Sequence, residues 1–198
     1  TQGVSSAASD VYKRQVSEGY RPGGNNRTSQ LGATYDADFL TNYEFGFKTI
    51  LMDGKVRLNG AAYMMKWDDI QLGWFDPDIS LLGLVDNIGA AQSKGFEIDS
   101  KMIVSDKLTV TFSYAKNDAK LTEDYNLRGS LAAKKNQDLP FTPDRKYNFG
   151  MTRDLSDSSR IDFNYVYVDQ MWNDLFYDNR VMQGAYSIGN LSFTKDLG

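Results

Sequence analysis

Polar and apolar residues alternate with a period close to two along most of the chain. Between residues 43 and 51 the odd positions are mostly aromatic or apolar, whereas Glu44 and Lys48 occupy the opposite face. Successive side chains of a β-strand point to opposite faces, so this pattern predicts strands. The same alternation continues over residues 56–71, 88–104, 108–115, 147–152, 161–168 and 186–194.

The connections between these strands alternate in length. Short turns are predicted near Asp53, Asp106 and Leu155, and longer stretches begin near residues 72, 119 and 169. The pair Asp53-Gly54 is a strong hairpin signal. A soluble β-sandwich has no reason to place all its long loops at one end, whereas a transmembrane barrel does so regularly. The sequence therefore predicts an all-β fold, an antiparallel up-and-down transmembrane β-barrel fragment of about eight strands that is open rather than closed.

Composition narrows the chemistry that the chain can perform. Among the 198 residues there is no histidine and no cysteine, which excludes His-based catalytic triads and Cys- or His-ligated metal sites within this chain. The net charge of −4 disfavours a nucleic-acid partner. We predict no metal site and no cofactor, and we do not expect an enzyme.

Residues 1–15 are interpreted as foreign to the protein. Residues 5–15 (SSAASDVYKRQ) resemble the in-frame translation of a transposon adapter used to prepare DNA sequencing libraries. Such segments are excluded from fold reasoning, and we expect this one to be disordered. The natural start of the gene would then be missing, so the absence of a signal peptide says nothing about localisation. Residues 16–198 form the predicted barrel segment.

Several blocks along residues 16–198 together resemble the barrel of TonB-dependent outer-membrane receptors. No single block is specific, but their order and spacing are. They are residues 19–24 (GYRPGG), 43–48 (YEFGFK), 53–63 (DGKVRLNGAAY), 67–71 (WDDIQ), 87–98 (NIGAAQSKGFEI), 139–143 (LPFTP) and 148–150 (NFG).

The resemblance implies a partial barrel, truncated at both ends, from a receptor of about 22 strands with a plug domain inside. Such a receptor sits in the outer membrane of a Gram-negative bacterium and imports a scarce nutrient with energy supplied by TonB. The nutrients handled by the family are ferric siderophores, cobalamin, haem and oligosaccharides. The implied partners are outer-membrane lipid and lipopolysaccharide, the receptor's own plug, TonB, and a small-molecule or oligosaccharide ligand.

Two sets of candidate site residues follow. Aromatic and basic residues of the long loops are candidates for ligand contact, although packing between loops, solvated charge or contact with lipopolysaccharide phosphates would also explain them. These are Trp74, Phe75, Arg145, Trp172, Phe176, Tyr177 and Arg180. Aromatic residues near strand ends are predicted to form a membrane-interface girdle, with ordinary β-propensity as the alternative. These are Tyr63, Trp67, Tyr114, Tyr165 and Tyr167.

Three other functions stay open on the sequence. A passive outer-membrane channel would share the same alternation and differ by lacking a plug. An outer-membrane enzyme would need catalytic groups from outside this chain. A surface-attached, glycan-binding β-sandwich would share the aromatic content but not the placement of the long loops.

Overall fold

Every regular element in the part of the chain that the structure describes is a β-strand. The computed structural model describes residues 11–27, 34–74, 83–127, 129–175 and 181–197. No helix among these residues is long and apolar enough to cross a membrane. In chain order the strands are β1 (Val11–Arg21), β2 (Gly24–Asn25), β3 (Thr34–Tyr35), β4 (Asp38–Leu51), β5 (Val56–Asp68), β6 (Gln71–Trp74), β7 (Leu84–Asn87), β8 (Ala91–Ser105), β9 (Leu108–Leu121), β10 (Tyr125–Leu127), β11 (Ser130–Ala133), β12 (Arg145–Ser156), β13 (Ser159–Val168), β14 (Met171–Trp172), β15 (Met182–Gln183) and β16 (Tyr186–Lys195).

Eight long strands form one antiparallel sheet in the order β1-β4-β5-β8-β9-β12-β13-β16. Each strand pairs with the next long strand in the chain, which is the up-and-down arrangement. The two outer strands, β1 and β16, each have one neighbour, so the sheet is not closed. This confirms the predicted all-β fold, its strand number and its open state. One eight-stranded sheet is also not the two-sheet sandwich considered above.

The two ends of the sheet differ in their connections. At one end, short turns join β4 to β5, β8 to β9 and β12 to β13. In the first of these turns Met52, Asp53 and Gly54 all have positive φ (54°, 52° and 89°), the conformation that an Asp-Gly hairpin favours. At the other end, each long connection carries its own two-stranded hairpin: β2–β3, β6–β7, β10–β11 and β14–β15.

These hairpins correct two sequence predictions. The return strand predicted to continue to residue 71 ends at Asp68, because Asp69 adopts a φ of 53° that interrupts the extended chain. The stretch from residue 119 to 145, predicted as one long polar connection, begins with the end of β9 and then contains β10 and β11.

The sheet has one polar and one apolar face. Directly paired residues on neighbouring strands share a face, and the register places Lys48, Asn59, Asp99, Ser113 and Asn148 in one row. The opposite face carries apolar rows, one of which consists of Val56, Met102, Val110, Met151, Phe163 and Leu191. Large side chains on this face are exposed, including Phe45 (44%) and Phe112 (41%). A surface of this kind needs an apolar environment such as lipid.

The buried apolar core of the described residues lies at the end with the long connections. It consists of Ile70, Leu84, Ile88, Ala91, Ala119, Leu121, Tyr125, Ala133, Leu139 and Leu175. Ala91, Ala119 and Leu121 belong to the polar-face rows of β8 and β9. The long connections therefore fold over the polar face and close one end of it.

Residues 11–15 lie within β1, which corrects the disorder expected for this part of residues 1–15. They pair in register with residues 44–48 of β4, whose alternation provides a matching edge. Arg14 falls opposite Phe45 on the apolar face, with its guanidinium 6.0 Å from the ring centroid. An arginine within a lipid-facing band costs roughly 2–4 kcal/mol, so Arg14 is unfavourable in this position whatever the origin of the segment. The foreign origin stays a prediction, and residues 1–10 lie outside the described residues.

Candidate functional site

The polar face forms a concave wall with charged groups of both signs. A concavity of about 900 Å³ is lined by Lys48, Asn59, Glu97, Asp99, Lys146 and Asn148, among others. The side-chain amide of Asn59 donates to Asp99 Oδ2 at 2.8 Å, and Asn164 donates to Asn148 Oδ1 at 2.9 Å. Hydrogen-bonding groups on an open concave surface suit contact with a polar partner inside the barrel.

A buried carboxylate ties four strands together where the wall meets the long connections. We call Arg21, Asp38, Trp67 and Gln71 the Asp38 junction. Asp38 is 1% exposed. It accepts hydrogen bonds from Arg21 Nε (2.9 Å to Oδ2), Trp67 Nε1 (2.9 Å) and the Gln71 amide N–H (3.1 Å). The Arg21 guanidinium also lies 5.0 Å from the Trp67 ring centroid, a cation–π contact.

The electrostatics of the Asp38 junction favour the ionised carboxylate. Desolvation alone would raise the pKa of Asp38, but the hydrogen bonds from Arg21, Gln71 and Trp67, together with the positive charge of Arg21, hold it below its ordinary value. Buried charges are stable when they are paired and fully hydrogen-bonded, and Asp38 meets both conditions.

Side-chain amides extend the junction to the first two long connections. Gln71 Nε2 donates to the carbonyls of Pro22 (3.1 Å) and Asp36 (2.9 Å). Asn87 Nδ2 donates to the carbonyl of Asp69 at 2.7 Å, while its Oδ1 accepts from the Asp36 N–H at 2.7 Å. The β1–β4 connection and the β6–β7 hairpin are therefore held against each other by backbone-directed hydrogen bonds.

We call the β6–β7 hairpin, the β10–β11 hairpin, residues 134–139 and Leu175 the loop cap. Its apolar core is the buried cluster described above, and hydrogen bonds tie its parts together. The Tyr125 hydroxyl donates to Asp86, and burial followed by this contact raises the pKa of Tyr125. The Gln137 amide donates to the Leu175 carbonyl, and Glu123 Oε1 accepts from the Ala90 N–H at 2.7 Å. A shared core and shared hydrogen bonds preorganise the loop cap as one unit.

The predicted ligand-contact residues are placed differently from one another. Trp74 is the last residue of β6. Trp172 lies in β14, is partly buried, and accepts a hydrogen bond from the Phe141 N–H at its carbonyl (2.8 Å). Their contact with a ligand stays a prediction. The predictions for Phe75, Phe176, Tyr177 and Arg180 lie outside the described residues.

The position of Arg145 in the structure corrects the prediction that this residue belongs to a ligand-binding loop. It is the first residue of β12 and pairs directly with Lys116 of β9. Because side chains alternate along a strand, Arg145 shares its face with Tyr147 and Phe149 rather than with the polar row. Its Nε forms an ion pair with Asp169 Oδ2 at 2.8 Å. Arg145 therefore faces outward, away from the concave wall.

Tyr63 and Trp67 correct the predicted membrane-interface girdle. Both alternate in phase with Asn59, so they lie on the polar face. Tyr63 donates to Asn117 Oδ1 at 3.2 Å, and Trp67 donates to Asp38. Each ring lies on the inner face, where its polar atom donates a hydrogen bond. The alternation of β5 fixes the inward position, whereas the aromatic residue type alone does not reveal it.

The other three predicted interface aromatics lie on the apolar face. Tyr114 and Tyr167 share a row with Tyr147, whose ring stacks on that of Tyr167 with a centroid distance of 4.7 Å. Tyr165 lies one row nearer the short turns, opposite Phe149. This placement is compatible with the predicted girdle, which stays a prediction.

Sequence reasoning missed the Asp38 junction. A usable signal was present, because Arg21 and Asp38 close the same ends of adjacent antiparallel strands and therefore pair directly.

We expect Gly95→Ala to destabilise the wall strongly, by about 2–3 kcal/mol. A Cβ at this position would lie 2.2 Å from the Lys116 carbonyl oxygen and 2.7 Å from the Tyr63 hydroxyl, so the backbone of two strands must shift. Gly46→Ala is the control on the same face, where the nearest atom would lie at 3.4 Å. Denaturant unfolding of the complete receptor in detergent would compare them, and equal destabilisation would contradict the prediction.

The fold and its surfaces define a class of protein: a membrane-barrel wall with an apolar exterior, a polar interior and long connections folded over one end. The chain belongs to the TonB-dependent receptor family, because the family description "TonB dependent receptor-like, beta-barrel" matches residues 10–197. This confirms the resemblance found in the sequence. The family is one of outer-membrane receptors and transporters of Gram-negative bacteria, not of enzymes.

Individual proteins to which the chain is similar are named as receptors for a metal chelate or a siderophore. The metal-pseudopaline receptor CntO of Pseudomonas aeruginosa is 30% identical over 116 residues, which cover 58% of this chain and 16% of that protein. Among solved structures, the ferric yersiniabactin uptake receptor FyuA from Yersinia pestis aligns with a TM-score of 0.73 at 21% identity, over 93% of this chain and 27% of that one. The siderophore receptor PiuA from Acinetobacter baumannii aligns with a TM-score of 0.74 at 16% identity, over 96% and 28% respectively. The chain thus spans a minor part of each of these proteins.

Proposed function

We propose that this chain is part of the barrel wall of an outer-membrane active transporter that imports a chelated metal ion with energy supplied by TonB. The family match over residues 10–197 is the observation that carries the proposal. CntO, FyuA and PiuA are named as receptors for metal–pseudopaline, ferric yersiniabactin and siderophores, which favours a metal chelate over cobalamin or an oligosaccharide.

The two candidate surfaces divide the work of such a transporter. The concave polar wall would contact the plug through groups such as Asn59, Glu97 and Asp99, with which polypeptide amides and charged side chains can pair. The loop cap would present the ligand-contacting surface, and its shared core would keep that surface in one arrangement before the ligand arrives. Preorganisation of this kind reduces the ordering cost of binding.

A passive channel is the second candidate function, because it needs the same two-faced wall. It differs in having an unplugged lumen, so uptake through it would neither saturate at low substrate concentration nor depend on TonB. The loop cap favours the receptor, since loops folded over the polar face obstruct the barrel mouth. A glycan-binding role would be a property of the loops and not of a separate sandwich fold.

Uptake of radioactive metal in the source bacterium would test the proposal. A strain deleted for the gene, with and without the complete gene restored, would be supplied with ⁵⁵Fe(III) on a panel of siderophores and with radioactive zinc or nickel chelates. We expect one chelate to enter in a saturable way that requires both the gene and TonB. Gene-dependent uptake that persists without TonB would favour the channel. Uptake of every chelate without the gene would contradict a metal-chelate role.

A further inference from the structure

Two cations lie side by side on the outward face where the apolar band ends. Lys116 of β9 and Arg145 of β12 are direct cross-strand partners, and both are exposed. The next outward row toward the short turns holds Tyr114 and Tyr147, followed by Phe112 and Phe149. Along both strands the outward side chains therefore change at one level from aromatic to positively charged.

Arg145 is held in position by a carboxylate on one side only. Asp169 Oδ2 accepts from Arg145 Nε, while Asp169 Oδ1 accepts from the Tyr167 hydroxyl at 3.2 Å and from the Gln170 N–H at 3.0 Å. No other residue in the described part of the chain hydrogen-bonds to the Arg145 guanidinium. Its two terminal nitrogens keep donors that Asp169 does not use.

Asp169 is the one carboxylate paired with these two cations among the described residues, so the pair keeps an excess positive charge. Among the described carboxylates none forms an ion pair with Lys116, whereas Lys94 and Lys120 on the same face are both paired with Asp118, at 3.6 Å and 2.7 Å. Like charges directly opposite each other in a sheet are destabilising. An anion placed between Lys116 and Arg145 would remove this repulsion and accept charge-assisted hydrogen bonds from both.

We propose that Lys116 and Arg145 bind a phosphate group of an outer-leaflet lipid. This inference rests on the proposed outer-membrane location, in which the long connections are extracellular and this row lies at headgroup level. A nutrient ligand would approach the loop cap and the polar face, whereas the pair lies on the opposite face beside the lipid. The phosphate would sit between the two cations, the tyrosine row would border the headgroup, and acyl chains would follow Phe112 and Phe149.

Native mass spectrometry of the complete receptor in detergent, titrated with bisphosphorylated lipid A, would test the assignment. We expect Lys116→Gln/Arg145→Gln to weaken binding roughly tenfold or more, since each cation near an anionic lipid contributes about one tenfold step or slightly less. Lys94→Gln, which removes an outward lysine already paired with Asp118, should leave binding unchanged. Equal binding by the double variant and the unaltered receptor would overturn the proposal.

Two further arms identify the ligand. Lipid A without its phosphates should bind the unaltered receptor weakly. Its affinity should match that of bisphosphorylated lipid A for the double variant. Strong binding of the phosphate-free lipid A would show that the acyl chains alone are sufficient. Inorganic phosphate at millimolar concentration should not displace the lipid, and displacement would assign the site to a free anion. Lys116→Gln alone breaks no described contact, so it keeps the test valid if Arg145→Gln does not assemble. Metal uptake is measured separately and does not depend on these outcomes.

Discussion

Replacing Phe112 with arginine is expected to destabilise the barrel by about 2–4 kcal/mol when the complete receptor is unfolded from lipid bilayers. Phe112 lies on the apolar face in the middle of the outward run of β9 and is 41% exposed in the isolated sheet. A charged side chain at this level must be desolvated or must distort the bilayer around it. Denaturant titration monitored by tryptophan fluorescence would measure the change.

The neighbouring residue provides a matched control. Ser113 occupies the polar face, in the row of Asn59 and Asp99, so Ser113→Arg places the same charge in a hydrated and partly acidic environment. We expect a change within about 1 kcal/mol. Equal effects at Phe112 and Ser113 would mean that the assignment of the two faces to lipid and lumen is wrong.

Asp38→Asn is expected to destabilise the receptor by about 3 kcal/mol, with the loss concentrated at the end of the sheet that carries the long connections. The substitution removes the charge that pairs with Arg21 and turns one acceptor oxygen into a donor that faces other donors. Buried donors left without an acceptor cost about 1–3 kcal/mol each. Hydrogen exchange should rise over residues 34–38, 69–74 and 83–90 while β9, β12 and β13 stay protected.

Asp154→Asn is the control for this prediction. Asp154 also pairs with an arginine at 2.8 Å, but the side chains of Arg160 and Asp154 are 53% and 37% exposed, so the expected change is below about 1 kcal/mol. The two variants should also differ in how their stability depends on acid. Because the folded-state pKa of Asp38 is lowered, its contribution is complete above about pH 4 and is lost as the pH falls through the folded value. Asp38→Asn should therefore flatten the acid dependence of stability, and an unchanged profile would contradict this.

The alternation of polar and apolar residues was sufficient to predict the long strands and to predict which face of the sheet is polar and which is apolar. It works because one face of the wall meets lipid and the other meets a polar interior, so each strand repeats the same two-residue pattern. The same alternation, applied strictly, would have placed Tyr63 and Trp67 inside. They were misassigned because aromatic residue type was weighted above position in β5.

The loop cap and the Asp38 junction could not be predicted in the same way. Strands as short as β6, β7, β10 and β11 show too few residues to display a period. The contacts of Tyr125 with Asp86 and of Gln137 with Leu175 join residues 38 or more positions apart. Such pairings depend on how the hairpins fold over the wall, which no local pattern records.

The shared core of the loop cap limits which changes in its amino-acid sequence the surface of the cap can tolerate. Ile70, Leu139 and Leu175 come from three successive long connections and are buried together. An insertion in one connection would shift side chains contributed by the other two. Sequence changes that let the bacterium escape a phage or an antibody should therefore occur at exposed loop positions outside this core. A vaccine antigen that displays one of these connections alone would lack the buried partners that shape it. The three together, on a barrel scaffold, are the smallest unit that would preserve the native epitope.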